Sequence, residues 1–544
     1  MKSIFTFIML IAFGAGFAQV SNEGTPKSWS RNSNEIAPIV MKGFDLAATQ
    51  REDAVNDLKK DRPYRFGHQY LVDYHLANSG KWETLENGDR IWRIRFYSEG
   101  AKTMNFLFSD FYMPEGATLY LYNNDKSDLL GAYDSSQNNE RRILGTWLVN
   151  GDDIWLEYYE PKAMRGQGKL EIFKVVHGYR TGEDFARSTQ GLGDSANCHY
   201  DVDCTMGTID TQKNVVKKSV AMMVVGGSGF CTGALINNTS NNGTPYFLSA
   251  NHCYQDPQTQ EISDTGFWAF RFDWISPSPS CASFTNSPNG PYHQTASGAT
   301  MKARRQQTDF LLVEIDVNLP ESWDLVWAGW SRLTAAPAYT FGIHHPSGDI
   351  MKVSLDNNPP SAQTISGMNV WQINQWDKGV TEPGSSGSPL FDPQGRIIGQ
   401  LYGGTSFCNG FVPNSGSDIY GRFGVSWDAG ISASSRLKEW LDPANTNAMT
   451  LDALGGVAGI EDVALNNEIS IYPNPSNGVF AVSMDNITSL KYEVYNVLGQ
   501  SVQRGELTSA NNTVNLTTSQ NGIYILKLTD EAANKTVTRK IVKE

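Results

Sequence analysis

A serine stands at the centre of a glycine-rich segment whose composition suits nucleophilic catalysis. Residues 379–390 read Gly-Val-Thr-Glu-Pro-Gly-Ser-Ser-Gly-Ser-Pro-Leu, with Ser386 in the middle. A serine hydroxyl is a poor nucleophile near neutral pH unless a neighbouring base accepts its proton. Gly384 and Gly387 would allow the tight turn that presents such a hydroxyl. An ordinary surface loop has the same composition, so this interpretation needs partner residues elsewhere in the chain.

Two residues upstream could supply a base and its orienting acid. His252 follows the apolar segment 246–250, so the pattern predicts an imidazole at the end of a strand. Asp309 opens the apolar segment 310–315, and a carboxylate at the start of a buried strand is unfavourable unless it is paired. Orienting an imidazole is one such pairing. The alternatives are a core-filling histidine and a turn aspartate at a strand entry.

The order of these residues supports one kind of chemistry. His252, Asp309 and Ser386 follow one another in the order found in chymotrypsin-like serine proteases. The adjacent His344 and His345 could suggest a metal pair, but neighbours on a strand point to opposite faces. We therefore predict a Ser-His-Asp site without a metal or a cofactor.

The beginning of the chain predicts export. Residues 1–18 join Lys2 to an apolar run and end in Ala18, as a secretory signal peptide does. No later stretch is apolar for long enough to predict a membrane span in the mature protein. The formal net charge of −13 also argues against a nucleic-acid partner.

Export makes disulfides the expected state of the cysteines, because an oxidising compartment favours them. Cys231 is the simplest partner for Cys253, since the two would join neighbouring strands. Six cysteines allow many pairings, and the sequence alone does not choose among them. There is no C-x-x-C pair, which argues against a structural zinc site. The six lie at Cys198, Cys204, Cys231, Cys253, Cys281 and Cys408.

At 544 residues the chain is too long for one hydrophobic core. Short segments that alternate apolar and polar residues between glycine, asparagine and aspartate predict a mostly β protein. Helical spacing is clear only at 433–441, and a short helix could lie within 45–60. The predicted regions are a signal peptide (1–18), a β-rich N-terminal domain (19–192), a second β domain (193–454), a linker (455–467) and a small C-terminal β-sandwich (468–544).

The region 193–454 resembles the lysyl endopeptidases, which are secreted bacterial serine proteases. The resemblance implies a trypsin-like double β-barrel that cleaves protein or peptide substrates after lysine, through an acyl-enzyme and without a cofactor. The N-terminal domain by itself could be a pro-domain or a binding module, and the resemblance implies a pro-domain. The segments that carry the resemblance are 198–204, 231–239, 246–253, 327–330, 343–346, 380–389, 399–401, 417–422 and 440–443.

The resemblance implies a role for each site residue. Ser386 would be the nucleophile, His252 the general base, and Asp309 the residue that orients the imidazole. The backbone amides of Gly384 and Ser386 would form the oxyanion hole. Asp418 would receive the substrate lysine, although its sequence context also fits a surface turn. The implied disulfides are Cys198–Cys408, Cys204–Cys281 and Cys231–Cys253.

Some positions depart from the family pattern. Tyr402 replaces a histidine, and 359–375 aligns poorly. We take Tyr402 as a substrate-binding residue with Asp418, and the difference leaves open a broader protease that accepts both lysine and arginine. Ser385, in contrast, agrees with the family pattern, and it stands where pancreatic trypsins have an aspartate that pairs with a new amino terminus. Activation is therefore expected from removal of the N-terminal domain.

The site of that removal is left open by the sequence. Between Lys174 and Cys198 there is no lysine, only Arg180 and Arg187. A strictly lysine-specific enzyme could not cut itself close to Gly193, so another protease would process it or the enzyme would also accept arginine. A further alternative is a non-catalytic surface adhesin on a protease fold, but a complete triad argues against it.

The C-terminal region resembles the type A sorting domain of the type IX secretion system of Bacteroidetes. The resemblance rests on 472–478, 492–499, 522–527 and the end of the chain at 540–544. It implies transport by the type IX machinery across the outer membrane, followed by release or attachment to the cell surface. The alternative is a generic β-sandwich appendage.

Overall fold

A computed structural model describes the chain as a mostly β protein, as the sequence predicts. No helix among the described residues is long and apolar enough to cross a membrane. The predicted signal peptide and the residues Arg187 and Gly193 lie outside the described part. The chain divides into two compact units, Met1–Leu454 and Gly455–Glu544. The described residues are 24–31, 35–58, 60–180, 195–283, 287–288, 290, 294–455, 469–484, 489–496, 501–508, 510–530 and 535–544.

The described N-terminal part of the first unit contains two sheets of mostly antiparallel strands and one α-helix. The strands are β1 (Ile39–Val40), β2 (Tyr64–Arg65), β3 (Gly67–His75), β4 (Lys81–Thr84), β5 (Arg90–Tyr97), β6 (Thr103–Tyr112), β7 (Thr118–Asn123), β8 (Leu129–Tyr133), β9 (Leu144–Gly145), β10 (Val149–Asn150), β11 (Asp153–Glu160) and β12 (Lys169–Gly178). The sheets run β1-β5-β11-β7-β8, with β4 on β5, and β10-β6-β12-β3, with β9 on β6. The helix α1 (Leu46–Asn56) begins at Asp45, whose side chain accepts a hydrogen bond from the amide of Ala48.

The remainder of the first unit is built on two large sheets. The strands of this part are β13 (Tyr200–Asp201), β14 (Val220–Val225), β15 (Gly229–Leu235), β16 (Tyr246–Ala250), β17 (Ala269–Phe272), β18 (Thr295–Ser297), β19 (Ala299–Arg305), β20 (Phe310–Ile315), β21 (Val326–Trp327), β22 (Trp330–Ser331), β23 (Thr340–His344), β24 (Lys352–Asp356), β25 (Ser361–Ile365), β26 (Met368–Ile373), β27 (Pro389–Phe391), β28 (Ile397–Gly404), β29 (Cys408–Asn409), β30 (Val412–Pro413), β31 (Asp418–Arg422), β32 (Thr450–Leu451) and β33 (Leu454–Gly455). One sheet runs β18-β17-β14-β15-β16-β20-β19, and the other runs β13-β24-β23-β27-β28-β31-β26-β25.

Three hydrophobic clusters organise these two sheets. One lies within the first sheet around Phe247 and Phe270, and another lies within the second around Trp376 and Tyr420. The third joins residues of both sheets, among them Leu248. Because burial of apolar side chains is the main favourable term in folding, this shared cluster fixes one sheet against the other. The end of β16, the start of β20 and the turn before β27 are thereby held close together.

The N-terminal sheets do not have a separate core. Their cluster includes Phe66 and Phe106, and it continues into the neighbouring sheet through Met222, Val224 and Phe230. In addition, β2 pairs antiparallel with β15. The N-terminal part and the part that follows it are therefore packed as one body.

The second unit, described by itself, has its own core. Its strands are β34 (Ile469–Tyr472), β35 (Val479–Met484), β36 (Ser489–Asn496), β37 (Ser501–Thr508), β38 (Thr513–Asn515), β39 (Gly522–Asp530) and β40 (Lys535–Lys543). They form two sheets, which run β34-β35-β38 and β37-β36-β39-β40. Phe480, Leu490 and Leu526 lie in a cluster made only of residues from this unit.

The helix predicted within 45–60 is present as α1 (Leu46–Asn56), but the helix predicted at 433–441 differs. The expected helix at 433–441 is a 3-10 turn at Ala433–Ser435 and a separate α5 (Lys438–Leu441). The break occurs because Arg436, between the two turns, has extended backbone angles. The other helices are α2 (Asp210–Val216), α3 (Asn251–Tyr254) and α4 (Phe423–Ser426), each too short to give a helical pattern in the sequence.

Candidate active site

Ser386 lies in a sharp turn that two glycines make possible. Gly384 has a φ of 93° and Gly387 a φ of 82°, in the left-handed region that residues with a Cβ rarely adopt. A Cβ on Gly387 would lie 2.2 Å from the Ser249 hydroxyl oxygen and 2.7 Å from the amide nitrogen of Ala250. The turn therefore packs directly against the end of β16, which leads into the helix that carries His252.

Hydrogen bonds hold this turn on β15. The amide of Thr232 donates to the carbonyl oxygen of Ser386 at 2.8 Å. The Thr232 hydroxyl donates to the carbonyl oxygen of Gly384, also at 2.8 Å. Among the described residues, no hydrogen bond engages the backbone amides of Gly384 or Ser386. These are the two amides that the sequence assigned to an oxyanion hole.

His252 and Asp309 form a buried pair with two contacts. The imidazole Nδ1 lies 2.7 Å from Asp309 Oδ2, and the backbone amide of His252 donates to Asp309 Oδ1 at 3.0 Å. The two residues are 2% and 3% exposed. The carboxylate thereby fixes both the ring and the backbone of the histidine.

Asp309 holds this position in an uncommon conformation. Its φ is 53°, in the left-handed region, where it ends the short turn before β20. Its carbonyl oxygen accepts a hydrogen bond from the amide of Asn251 at 2.7 Å, which joins it to the helix of His252. Strain of this kind persists where surrounding contacts fix it, and it is concentrated at functional sites.

The predicted nucleophile, Ser386, and the predicted base, His252, are not hydrogen-bonded to each other in the state described. His252 Nε2 is buried and has no hydrogen-bond partner among the described residues. The Ser386 hydroxyl instead donates to the carbonyl oxygen of Lys60, at 3.4 Å. The structure thus pairs His252 with Asp309, while the hydroxyl of Ser386 donates to Lys60 rather than to the imidazole.

Asp418 lies at the base of a polar pocket and is fully buried. Its Oδ2 accepts three hydrogen bonds: from the indole nitrogen of Trp376 at 2.7 Å, from the Thr381 hydroxyl at 2.8 Å and from the Ser406 hydroxyl at 2.6 Å. A buried carboxylate is tolerated only when it is satisfied in this way. On β28, a Cβ on Gly404 would lie 2.2 Å from Asp418 Oδ1, so the glycine leaves space for that oxygen.

The side chain of Lys60, from the N-terminal part, fills this pocket. Its Nζ donates to the carbonyl oxygens of Thr381 and Ser406, each at 2.5 Å, and to their hydroxyls at 3.2 and 3.1 Å. It lies 3.7 Å from Asp418 Oδ1. Lys60 is only 7% exposed, which is rare for a lysine and requires paired surroundings.

Tyr402 lies beside His252. Its ring is edge-on to that of His252, with ring centroids 5.7 Å apart. Burial and the charges of Asp309 and Asp61 raise the pKa of Tyr402. Its part in substrate selection therefore remains a prediction.

His344 is the last residue of β23 and His345 follows it, and the two rings contact different groups. The ring of His344 lies between the hydroxyls of Ser385 and Ser354, at 2.8 and 3.0 Å. His345 Nδ1 lies 2.9 Å from the carbonyl oxygen of Asp349. Burial lowers the pKa of both rings, that of His345 to about 3. Each ring is held neutral within the core.

The sequence did not reveal several residues of the pocket. Thr381 lies within a segment used for the resemblance, but its hydroxyl had no assigned role. Trp376 lies beside the poorly aligned segment 359–375, and Ser406 lies two positions before Cys408. A buried Asp418 needs hydrogen-bond donors, so the sequence implies that such residues exist. It does not identify which residues they are.

The three disulfides connect the pairs that the resemblance implies. Among them, Cys231–Cys253 joins β15 to the helix of His252, and the Cys253 sulfur lies 3.8 Å from the carbonyl oxygen of Ser386. The bond therefore ties the base and the turn of the nucleophile to the same strand. The full set is Cys198–Cys408, Cys204–Cys281 and Cys231–Cys253.

Comparison with known proteins bears on the whole region that holds this site. Residues 192–421 match the family model of the lysyl endopeptidase C-terminal domain. The predicted resemblance is confirmed. A lysyl endopeptidase of Pseudomonas aeruginosa is 28% identical over 292 residues, which are 50% of this chain and 59% of that protein. The chain thus matches little more than half of the length of this relative.

Solved structures give more distant similarities. The HtrA-type protease AlgW with tripeptide is 12% identical, with a TM-score of 0.28 over 61% of this chain and 95% of that chain. The MamO protease domain from Magnetospirillum magneticum is 11% identical, with a TM-score of 0.23 over 38% of this chain and 93% of that chain.

The C-terminal resemblance is confirmed as well. Residues 470–544 match the family model of the secretion system C-terminal sorting domain. This match covers all seven strands of the second unit except the first residue of β34 (Ile469–Tyr472). It indicates sorting by type IX secretion to the extracellular space or the cell surface.

Proposed function

We propose that this protein is a secreted serine endopeptidase that cleaves peptide bonds on the carboxyl side of lysine. The observation that carries the proposal is the polar pocket beside Ser386, in which a buried carboxylate and two carbonyl oxygens surround a lysine ammonium. The match of 192–421 to the lysyl endopeptidase model supports the same reaction. We further propose that 19–192 is a pro-domain, that 193–454 is the protease domain and that 468–544 is the sorting domain.

The proposed reaction uses the triad in two steps. His252 Nε2 takes the proton of the Ser386 hydroxyl as the oxygen attacks the carbonyl carbon of the substrate lysine. The oxyanion that forms accepts hydrogen bonds from the amides of Gly384 and Ser386. The imidazolium, which the Asp309 carboxylate stabilises, then gives the proton to the leaving amine. Water repeats the sequence on the acyl-enzyme and releases the new carboxyl terminus.

The pocket chemistry favours lysine over arginine. An ammonium has three N–H donors on one atom, and the carbonyl oxygens of Thr381 and Ser406 are placed to accept them. A guanidinium binds a carboxylate best through two parallel hydrogen bonds, which need both carboxylate oxygens. Asp418 Oδ2 already accepts three donors, and Oδ1 accepts a hydrogen bond from the amide of Ser406 at 3.4 Å, so the carboxylate has few acceptor positions left for a guanidinium.

Hydrolysis of paired substrates tests this function. The full chain is assayed with lysyl and arginyl peptides that are otherwise identical, before and after limited proteolysis by thermolysin. A Ser386→Ala chain treated in the same way is the control, and its rate should be lower by about 10⁴-fold or more. Turnover of the lysyl peptide alone supports the proposal. Equal turnover of both peptides contradicts the lysine specificity, and no turnover by folded protein contradicts the catalytic function.

A further inference from the structure

The chain places one of its own lysines where the substrate lysine is proposed to bind. The Lys60 ammonium donates to Thr381 and Ser406 and faces Asp418. These contacts join positions more than three hundred residues apart, since Lys60 and Thr381 are separated by 321 positions. An internal ligand thus occupies the pocket in the intact chain.

The backbone after Lys60 also lies along the protease like a bound peptide. In β2 (Tyr64–Arg65), Arg65 and Tyr64 pair antiparallel with Gly229 and Phe230 of β15. The amide of Phe66 donates to the carbonyl oxygen of Ser228 at 2.8 Å, and its ring stacks on Phe230 with centroids 4.1 Å apart. Addition of a strand to a sheet edge is a general mode of peptide recognition.

Lys60 is bound in a geometry that does not favour cleavage. Its φ is 52°, in the left-handed region, whereas a peptide bound as an added strand is extended. Its carbonyl oxygen accepts a hydrogen bond from the Ser386 hydroxyl, and within the described residues it has none from the amides of Gly384 or Ser386. The unpartnered His252 Nε2 fits this state, because the serine proton is engaged by the ligand.

Charged contacts within the N-terminal part hold the segment in place. Arg65 Nε donates to Asp53 Oδ1 at 2.7 Å, and the Tyr179 hydroxyl donates to Asp53 Oδ2 at 2.6 Å. Arg180 Nη1 pairs with Asp57 at 2.6 Å. Since Asp53 lies on α1 and Tyr179 follows β12, both sides of the segment are fixed. A tethered ligand has a high effective concentration, so a free peptide competes with it poorly.

We propose that residues 60–66 are a tethered inhibitory ligand, in which Lys60 occupies the specificity pocket and β2 covers the edge of β15. The proposal rests on the proposed function, because it identifies the Asp418 pocket as the substrate lysine site. It assigns latency to one side chain of the N-terminal part rather than to the mere presence of that part. Removal of Lys60 from the pocket opens the site in an otherwise intact chain.

A binding experiment in a catalytically inactive background tests the proposal. The full chain carrying Ser386→Ala is titrated with a fluorescein-labelled peptide that ends in Gly-Gly-Lys-amide, and anisotropy is measured. The chain that also carries Lys60→Ala is expected to bind at least tenfold more tightly. Lys81→Ala is the matched control, because Lys81 is an exposed lysine of the same N-terminal part, and it should not change the affinity. Equal affinity of all three chains overturns the proposal.

A second measurement needs no pocket variant and remains valid if Lys60→Ala fails to fold. The full Ser386→Ala chain is treated briefly with acetic anhydride, and acetylation of each lysine is measured by mass spectrometry. Lys60 should react at least tenfold more slowly than Lys81, and equal rates overturn the proposal. Neither readout depends on hydrolysis, so absence of turnover contradicts the proposed function alone. Rapid cleavage after Lys60 in the chain that retains Ser386 would show a substrate rather than an inhibitor.

Discussion

The Asp309 carboxylate contacts both the ring and the backbone of His252. The shape of the side chain positions the histidine, and its charge would stabilise the imidazolium. Asp309→Asn keeps the size of the side chain but removes the charge that stabilises the imidazolium. We expect kcat to fall by about 10⁴-fold while KM changes little. The measurement is steady-state hydrolysis of a lysyl peptide by the processed chain.

Asp316 provides the control for this substitution, since it lies just past the other end of β20 and is exposed. Asp316→Asn should retain activity close to that of the unaltered chain. A loss of less than tenfold in Asp309→Asn would remove Asp309 from the proposed triad.

The Ser406 hydroxyl occupies one of the hydrogen-bond acceptor positions of the Asp418 carboxylate. Its hydroxyl donates to Asp418 Oδ2 at 2.6 Å. Ser406→Ala frees one acceptor position on that oxygen, which a guanidinium could use. The ratio of kcat/KM for lysyl over arginyl peptides should fall by about tenfold, the effect of one hydrogen bond to a charged group. Ser417→Ala, beside Asp418 but without a hydrogen bond to it, should leave the ratio unchanged.

The carboxyl group of Glu382, in the segment that contains Ser386, is expected to make the stability of the fold depend on pH. Burial raises the pKa of its carboxyl, but His199 and hydrogen bonds from Ser347 and the amide of Ala196 lower it more, to about 2. A carboxyl with a depressed pKa stabilises the fold above its ordinary value of 4.5 and loses that contribution as the pH falls toward 2. Glu382→Gln should therefore lower Tm at pH 7 by the equivalent of about 3 kcal/mol, and by roughly 40% of that at pH 3, where the folded-state pKa of about 2 keeps part of the contribution.

Thermal unfolding followed by circular dichroism at a series of pH values checks this expectation. Glu321→Gln is the control, since Glu321 is exposed. An equal decrease in Tm at pH 7 and pH 3 would contradict the assignment, because it would show that the charge of Glu382 has no part in the effect.

At this scale the sequence predicted the residues whose chemistry is specific. It predicts Ser386, His252 and Asp309 as a triad because a nucleophile, a base and a buried acid must each stand in a particular context. The donors around Asp418 could not be found in the same way. Any hydroxyl or indole brought close by a loop can satisfy a carboxylate, so Trp376 carries no local signal of its role.

The turn that presents Ser386 depends on the space at Gly387 as well as on its backbone angles. In Gly387→Ala, the new Cβ would lie 2.2 Å from the Ser249 hydroxyl oxygen and 2.5 Å from the carbonyl oxygen of Thr232. The backbone must therefore move, which displaces the nucleophile. We expect activity to fall by at least 10²-fold and Tm to decrease, as measured by hydrolysis and by thermal unfolding.

Substitution of a second glycine separates the effect of a positive φ from the effect of close packing. Gly367, in the turn between β25 and β26, has a φ of 83°, but no atom lies within 4 Å of the place that a Cβ would take. Gly367→Ala should cost only about 1 kcal/mol of stability and leave activity unchanged. Equal effects of the two substitutions would contradict the importance of packing against Ser249.

Strands were easier to predict than helices in this chain. The buried segments that became β14, β20 and β28 are long apolar runs, and their pattern in the sequence is clear. The helix of His252, α3, has only four residues, and it exists because Asp309 and the end of β16 hold it. Such a helix is a product of tertiary contacts, which periodicity does not record.

The second unit has a separate core, which predicts independent behaviour. Leu490 and Leu526 pack only with residues of this unit. Deletion of 468–544 should therefore leave the thermal transition of the first unit within about 2 °C of its value in the full chain. It should also abolish export past the outer membrane, because the deleted residues match the sorting domain. Calorimetry and immunoblots of cell and medium fractions measure these outcomes, and a large decrease in Tm would contradict a separate core.

The sequence alone does not predict how the N-terminal part packs against the region that follows it. The sequence predicted a β-rich pro-domain without a site of its own, and it offered Arg180 and Arg187 as the residues that bear on processing. The structure instead brings Lys60 into the pocket, while Arg180 pairs with Asp57. A contact across 321 positions leaves no local pattern, because it depends on how two folded surfaces meet.

The presence of Lys60 in the pocket links two properties that would otherwise vary independently. A change at Asp418 or Ser406 that admits a different substrate also alters the hold on the chain's own lysine. Under the proposal that Lys60 is a tethered inhibitor, such a variant would be secreted with its cleft already open. A new specificity would then require a matching replacement at position 60 in the same gene. The pocket residues and the residue at position 60 are therefore expected to change together.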